Sequence, residues 1–317
     1  MSAFYLGVDG GQSSTTVLIG DAEGRVVGSG RGGPCNHVGA AEGREKFLRT
    51  IRECVSAAAR EIGEDFDHIE FASACLGFSG GPADKEEILA RLLRTARTVV
   101  TTDALIALSG ATGGAPGIIT ISGTGSIAFG RNAEGKTARA GGWGYVFGDS
   151  GSGFDLVRRA LQAALRFEEG WGPSTTLHAM LLEATGAVDA NDLLHRFYTT
   201  EYPRPRIAAL SKLVDDAAQA GDSAALEIVE LAAGELAHLA GAVRKQLFAP
   251  GEASRVAYIG GVFRSGMLRE CYIALVEATP GNLCGPPQYG PAAGALIEAY
   301  RAAGLSPALT NVPEFEK

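Results

Sequence analysis

The chain has 317 residues, of which 46% are hydrophobic and 20% charged, with a formal net charge of −8. That length accommodates two domains with their own cores, and the acidic balance excludes the basic stripe a nucleic-acid surface needs. The five cysteines (Cys35, Cys54, Cys75, Cys271, Cys284) form no CxxC or Cys/His cluster, which fits reduced thiols in a cytoplasm. The start MSAFYLGVDGG has no basic region and no long apolar stretch, so no signal peptide is expected. No uncharged apolar run reaches the roughly 18 residues of a membrane span.

Residues 3–30 read as three short strands joined by tight turns, the last turn being Asp21-Ala22-Glu23-Gly24. Helical spacing follows over 39–62, then a strand near 69–77, a helix near 84–97, a strand near 98–101 and a helix opening near Asp103. At 117–140 the opening pattern returns: GIITIS, SIAFG and KTARA read as strands. Asn132-Ala133-Glu134-Gly135-Lys136 matches Asp21-Ala22-Glu23-Gly24-Arg25 at an offset of 111 residues, which sets Gly11-Gln12-Ser13-Ser14 on Ser122-Gly123-Thr124-Gly125. This internal repeat predicts an α/β protein of two related halves. Residues 152–248 read as mostly helical. A strand at 255–261 and helices near 263–278 and 289–303 complete the pattern.

Three motif matches compete for attention. Gly130 to Thr137 fits the pattern G-x-x-x-x-G-K-T, but the following ARAGGWGYVFG is too glycine-rich to start the helix that a P-loop requires. Gly77-Phe78-Ser79-Gly80-Gly81 fits a nucleophile elbow, yet Gly80-Gly81-Pro82 interrupts the helix, and His178, His195 and His238 lie on helical stretches. A serine hydrolase at Ser79 stays as a rival reading. Gly28 to Gly33 fits G-x-G-x-x-G but is followed by Pro34-Cys35-Asn36-His37 rather than a helix.

A different constellation holds together. Asp9-Gly10-Gly11-Gln12-Ser13-Ser14-Thr15 lies between two strands, where small residues let backbone N–H groups converge on an anion. Asp9, at the strand end, suits Mg²⁺ held through water; a glycine-rich hairpin with Asp9 as a turn cap is the plainer alternative. Ser122-Gly123-Thr124-Gly125-Ser126 is the equivalent bend of the second half, and two such bends could clamp one triphosphate. Asp103 stands at a strand end and could accept a hydroxyl proton during phosphoryl transfer, or serve only as a helix N-cap. Gly142-Trp143-Gly144 near Asp149 reads as a sugar-binding rim, with Asp149 alternatively an N-cap. Asn36 carries a two-sided amide suited to paired hydroxyls. Gly260-Gly261 follows a strand, where bare backbone could meet a nucleobase.

The segments VDGGQSSTTVLIGDAEG, TTDALIALSGA, ITISGTGSIAFG, AGGWGYVFGDSGSG and IGGVF together resemble the N-acetylglucosamine kinase / BadF-BadG ATPase family of the sugar kinase, Hsp70 and actin superfamily. The resemblance runs over nearly the whole chain. It implies two ribonuclease-H-like (actin-like ATPase) domains with a nucleotide cleft between them: 1–115, and 116–288 with a helical insertion, the helix at 289–303 packing back on the first. It implies an ATP- and Mg²⁺-dependent phosphotransferase acting on the 6-hydroxyl of N-acetylglucosamine or a close relative, cytoplasmic and homodimeric. Carried over by position, Gly10, Gly11, Ser13, Thr124, Gly125, Ala209 and Gly261 would bind ATP. Ser13 stands where relatives often have Thr, and Ala209 where they carry Gly. Asn36, Asp103, Gly142, Trp143, Gly144 and Asp149 would hold the sugar, Asp103 also acting as the base. A glucosamine or N-acetylmuramic acid kinase, an activator ATPase of the BadF type and a non-catalytic sugar sensor stay open. The zinc-binding cysteines of ROK-type kinases are absent, and the cysteines present do not sit where BadF-type activators hold an iron–sulfur cluster.

Overall fold

The computed structural model describes residues 3–11, 13–35, 41–79 and 85–317. The chain divides into two compact units: residues 1–115 with 287–317, and residues 116–286.

Unit 1 is built on a five-stranded sheet. Its strands are β1 (Phe4–Gly10), β2 (Thr15–Gly20), β3 (Val26–Gly32), β4 (Phe71–Phe78) and β5 (Thr98–Thr102), in the order β3-β2-β1-β4-β5. β1, β2 and β3 are antiparallel neighbours; β4 and β5 are added in parallel. Period-two alternation sends Leu6 and Val8 to one face and Tyr5 to the other. On the first face lies α1 (Ala41–Glu61), whose Phe47, Ile51, Cys54, Val55, Ala58 and Ala59 recur at helical spacing and are fully buried against Leu6, Val8, Val17 and Ile19. On the second face lie α3 (Asp103–Thr112) and α11 (Pro291–Ala302). Glycine sets how closely these pack: a Cβ at Gly7 would overlap the Leu296 amide, and one at Gly294 would overlap the Ile106 carbonyl of α3.

The helix expected near 84–97 is shorter, α2 (Glu86–Leu92). Residues beyond it are drawn into backbone bonds beside β4: Phe71 N–H to Arg94 O, Ala96 N–H to Phe71 O, and Ala74 N–H to Arg97 O. Sheet pairing there outcompetes the helix.

Unit 2 repeats the topology. β6 (Gly117–Ser122), β7 (Ser126–Arg131), β8 (Thr137–Gly141), β9 (Ser254–Ile259) and β10 (Asn282–Gly285) are ordered β10-β9-β6-β7-β8. β10 is a short, half-exposed edge strand paired in parallel with β9, and NLCG lacks the alternation that would predict it. Between β8 and β9 run α4 (Gly153–Glu168), α5 (Leu177–Thr185), α6 (Ala190–Phe197), α7 (Arg204–Ala209), α8 (Ser211–Gln219) and α9 (Ser223–Leu247). Ala225, Val229, Ala232, Leu236 and Val243 of α9 are buried in one core with Ile118, Ala128 and Val256 of the sheet. A 3₁₀ turn at Gly261–Arg264 precedes α10 (Gly266–Glu277), which Ser265 caps.

The two halves align with a one-residue difference. β7 begins and ends 111 residues after β2. However, Gly10 pairs with Thr15, enclosing residues 11–14, whereas Ser122 pairs with Ser126, enclosing residues 123–125. Ser122 is therefore the last residue of β6 rather than part of the bend, and its buried hydroxyl donates to Gly151 O.

Candidate active site

In unit 2 the bend 123–125 is tight. The Gly123 amide donates to Gly125 O, leaving the Thr124 and Gly125 amides without a hydrogen-bond partner among the described residues. Behind the bend lies Asp149, 5% exposed and in the left-handed region at φ 61°. One carboxylate oxygen accepts the Ser126 N–H at 3.2 Å; the other takes the Arg204 guanidinium at 2.9 Å. A Cβ at Gly125 would stand 2.9 Å from that carboxylate, so glycine is required there. Arg204 in turn lies over Tyr145 and Phe154, 4.4 and 5.5 Å from their ring centres. Asp149 is thus not an N-cap: Ser152 caps α4, accepting the Asp155 N–H. Arg204 gives no motif signal, and only the adjoining Pro203 and Pro205 mark a special turn.

Beside the bend opens a cavity of about 560 Å³. Its walls include Gly123 and Thr124, Ala208 and Ala209 at the end of α7, and Gly261 and Val262 after β9. The Cα faces of Gly123 and Gly261 are bare, with nothing within 4 Å of a built Cβ. Polar groups are also part of the lining: Lys212, Asp215 and Ser265, with the Ser265 hydroxyl donating to Asp215 Oδ1 at 2.5 Å. Three residues singled out in sequence for nucleotide contact, Thr124, Ala209 and Gly261, line this one cavity. Gly142 and Gly144, at φ 72° and 77°, flank Trp143, which is 64% exposed and has the Arg139 guanidinium 4.7 Å from its ring centre.

In unit 1, β1 ends in Gly10, where a Cβ would overlap the Phe78 ring. The Gly11 amide donates to Ser14 O and the Cys35 amide to Gly11 O; Ser13 is exposed. Asp9 is half-buried, and burial, then the Glu316 and Asp103 carboxylates, push its pKa up to about 7. Glu316 was not picked out in sequence; it is buried and accepts the Ala293 N–H at the start of α11. Asp103 is not the N-cap of α3. Thr102 is, accepting the Leu105 N–H, and Asp103 opens the first turn. One Asp103 oxygen accepts the Ala104 N–H and the other the Ser79 O–H, each at 2.8 Å. Asn36, Gln12 and Gly80-Gly81-Pro82 lie outside the described residues.

The competing motifs do not find their partners. Gly135 turns the β7–β8 hairpin at φ 81°, so no helix follows the P-loop-like match. His68, the histidine described in unit 1, precedes β4 while Ser79 follows it, so a strand of 8 residues separates them. Cys35, Cys54 and Cys75 are buried, and among the described residues no group of three His, Cys, Asp or Glu could hold a metal. No helix among the described residues is long and apolar enough to cross a membrane.

The doubled sheet with its glycine bends defines a two-domain α/β protein of the actin-like ATPase architecture. The sequence profile of the BadF/BadG/BcrA/BcrD ATPase family matches residues 6–299, and the chain belongs to that family. It is 33% identical over 238 residues to an N-acetylmuramic acid/N-acetylglucosamine kinase of Clostridium acetobutylicum, covering 74% of this chain and 76% of the relative. It is 31% identical over 281 residues to an N-acetyl-D-glucosamine kinase of Dictyostelium discoideum, covering 84% and 88%. A solved Chromobacterium violaceum protein, provisionally named an N-acetylglucosamine kinase, superposes with a TM-score of 0.71 at 28% identity, covering 93% of this chain and 98% of the other.

Proposed function

We propose that this protein transfers the γ-phosphate of ATP to the 6-hydroxyl of an amino sugar, N-acetylglucosamine or a close relative. The observation that carries this reading is the cavity lined by Thr124, Ala209 and Gly261, which brings together three separate segments beside a bend with free amide donors. Its bare glycine and alanine walls suit a flat base, and the amides of Thr124 and Gly125 suit phosphate oxygens. In unit 1, Ser13 with Gly10 and Gly11 is proposed as a second phosphate-binding bend.

Asp9 fits Mg²⁺ held through water. Its carboxylate lies in the field of Asp103 and Glu316, which a divalent cation would offset. The metal, when bound, neutralises charge on the phosphates. Asp103 takes the proton of the 6-hydroxyl as its oxygen bonds to the γ-phosphorus and the bond to ADP breaks; the proton then leaves to solvent. Help of this kind is worth about 10²–10⁴ in rate. Gly142, Trp143 and Gly144 serve as the sugar rim of unit 2, and the resemblance gives Asn36 a part in holding the sugar. Asp149 links that rim to the phosphate bend. The names of the curated relatives support the substrate class; a cytoplasmic setting and a homodimer are proposed with it.

A coupled assay of ADP release over N-acetylglucosamine, glucosamine, N-acetylmuramic acid and plain hexoses tests the proposal. Release should depend on an amino sugar, and Asp103→Asn should abolish it while nucleotide binding persists. ADP release indifferent to every sugar would overturn it.

A further inference from the structure

We propose that Ser79 is a positioning residue for Asp103, fixing the plane of its carboxylate toward the acceptor hydroxyl. The inference rests on Asp103 being the base and goes beyond it by naming what aims that base.

The argument starts from register. β4 and β5 run in parallel with Gly77 beside Thr101 and Phe78 beside Thr102. The next residues in each chain are Ser79 and Asp103, so strand pairing alone brings them side by side. Asp103 is exposed in the first turn of α3, where a free carboxylate would rotate about two side-chain torsions. Two bonds at 2.8 Å remove that freedom: the Ala104 N–H holds Oδ1, and the Ser79 O–H holds Oδ2. A carboxylate oxygen offers two lone pairs, so each can still accept from a substrate hydroxyl. A base held in one orientation begins closer to the geometry of proton transfer, and a misplacement of about 1 Å can cost about 10² in rate.

The same bond explains why Ser79 is poorly placed as a nucleophile. Its proton is directed at a carboxylate that also faces the substrate, and no imidazole of the described unit 1 lies at that end of β4.

The test compares Ser79→Ala, Ser79→Thr and Asp103→Asn in the full chain, with ATP–Mg²⁺ and N-acetylglucosamine. Ser79→Ala should lower kcat by about 10- to 100-fold. KM for the sugar and the Kd for ATP should stay within about twofold. Ser79→Thr keeps the donor and should recover most of the rate. If the alanine chain fails to fold, Ser79→Cys, a weaker donor of similar size, carries the same expectations. Wild-type kcat in Ser79→Ala, alongside a dead Asp103→Asn, would overturn this inference and leave the kinase reading standing. Full turnover in Asp103→Asn would instead remove the base assignment on which the inference rests.

Discussion

The two glycine bends come from one strand pattern but are supported differently. The bend at 123–125 is one residue shorter and is held from behind by the buried Asp149 and its partner Arg204, which Tyr145 and Phe154 flank. The bend at 11–14 is tied by the Cys35 amide and adjoins Asp9, whose surroundings include two further carboxylates. Duplication preserved the scaffold while the supports diverged. Unit 2 backs its bend with a carboxylate–guanidinium pair; unit 1 sets beside its bend a carboxylate whose pKa burial, Glu316 and Asp103 raise.

Removing the support in unit 2 should have the largest effect. Asp149→Ala leaves Arg204 without its carboxylate and frees the Ser126 amide. Because Arg204 is partly solvated, the loss of stability should be about 2 kcal/mol rather than the 3–5 of a fully buried pair. Nucleotide affinity should fall about 100-fold. Thermal unfolding and calorimetric titration with ATP–Mg²⁺ read the two effects; an unchanged Kd would show that the bend needs no backing.

Next come the bends themselves. Thr124→Ala should weaken nucleotide binding by about 10- to 30-fold, the range of one hydrogen bond to a charged group. Ser13→Ala should cost about threefold, the lower range for one hydrogen bond at an exposed hydroxyl. Equal losses in the two variants would erase the distinction between the halves.

The halves should also answer pH in opposite directions. Asp9 has its pKa raised to about 7 by burial, Glu316 and Asp103. It binds a proton more tightly in the folded chain, so its contribution is fully present below the unfolded value near 4 and is lost as pH rises through 7. The change is on the order of 2 kcal/mol after screening, and Asp9→Asn should flatten it. In unit 2, burial would raise Asp155, but Arg158, the Gly151 amide and Arg159 outweigh it and hold it below the usual range. Its contribution is present above pH about 4 and is lost as pH falls below that. Denaturant melts of wild type, Asp9→Asn and Asp155→Asn across pH 3–8 resolve the two slopes.

The smallest effect belongs to Lys136→Ala. Lys136 sits in an exposed hairpin turn and donates to Gln246 O at 3.2 Å. Its loss should change stability by less than about 0.5 kcal/mol and leave nucleotide binding alone. A large loss of ATP affinity would revive the P-loop reading.

Local chemistry made much of this fold legible. The matched turns at 21–25 and 132–136 revealed the duplication because turn residues carry strong, short-range conformational demands. The missing residue in the second bend was not legible, since a run of glycine, serine and threonine has no side-chain period to mark register. Thr102 and Asp103 are both good caps, and only backbone geometry distinguishes them. Arg204 lies 55 residues from Asp149, and Glu316 reaches Asp9's surroundings from the far end of the chain; such pairings depend on tertiary contact. Of the cavity residues, Thr124 was legible through the internal repeat and Gly261 through its place after a strand, whereas Ala209 came from the resemblance alone.

The placement of α11 has a consequence for biosynthesis. Gly7 and Gly294 mark backbone contacts that unit 1 completes with residues 287–317, which emerge from the ribosome after all of unit 2. Unit 2 can therefore acquire its native structure while unit 1 still exposes the sheet face around Tyr5 and Leu18, awaiting Leu296 and Tyr300. The first half to be translated is the last to finish, and that exposed face is where a nascent chain would most need chaperone protection.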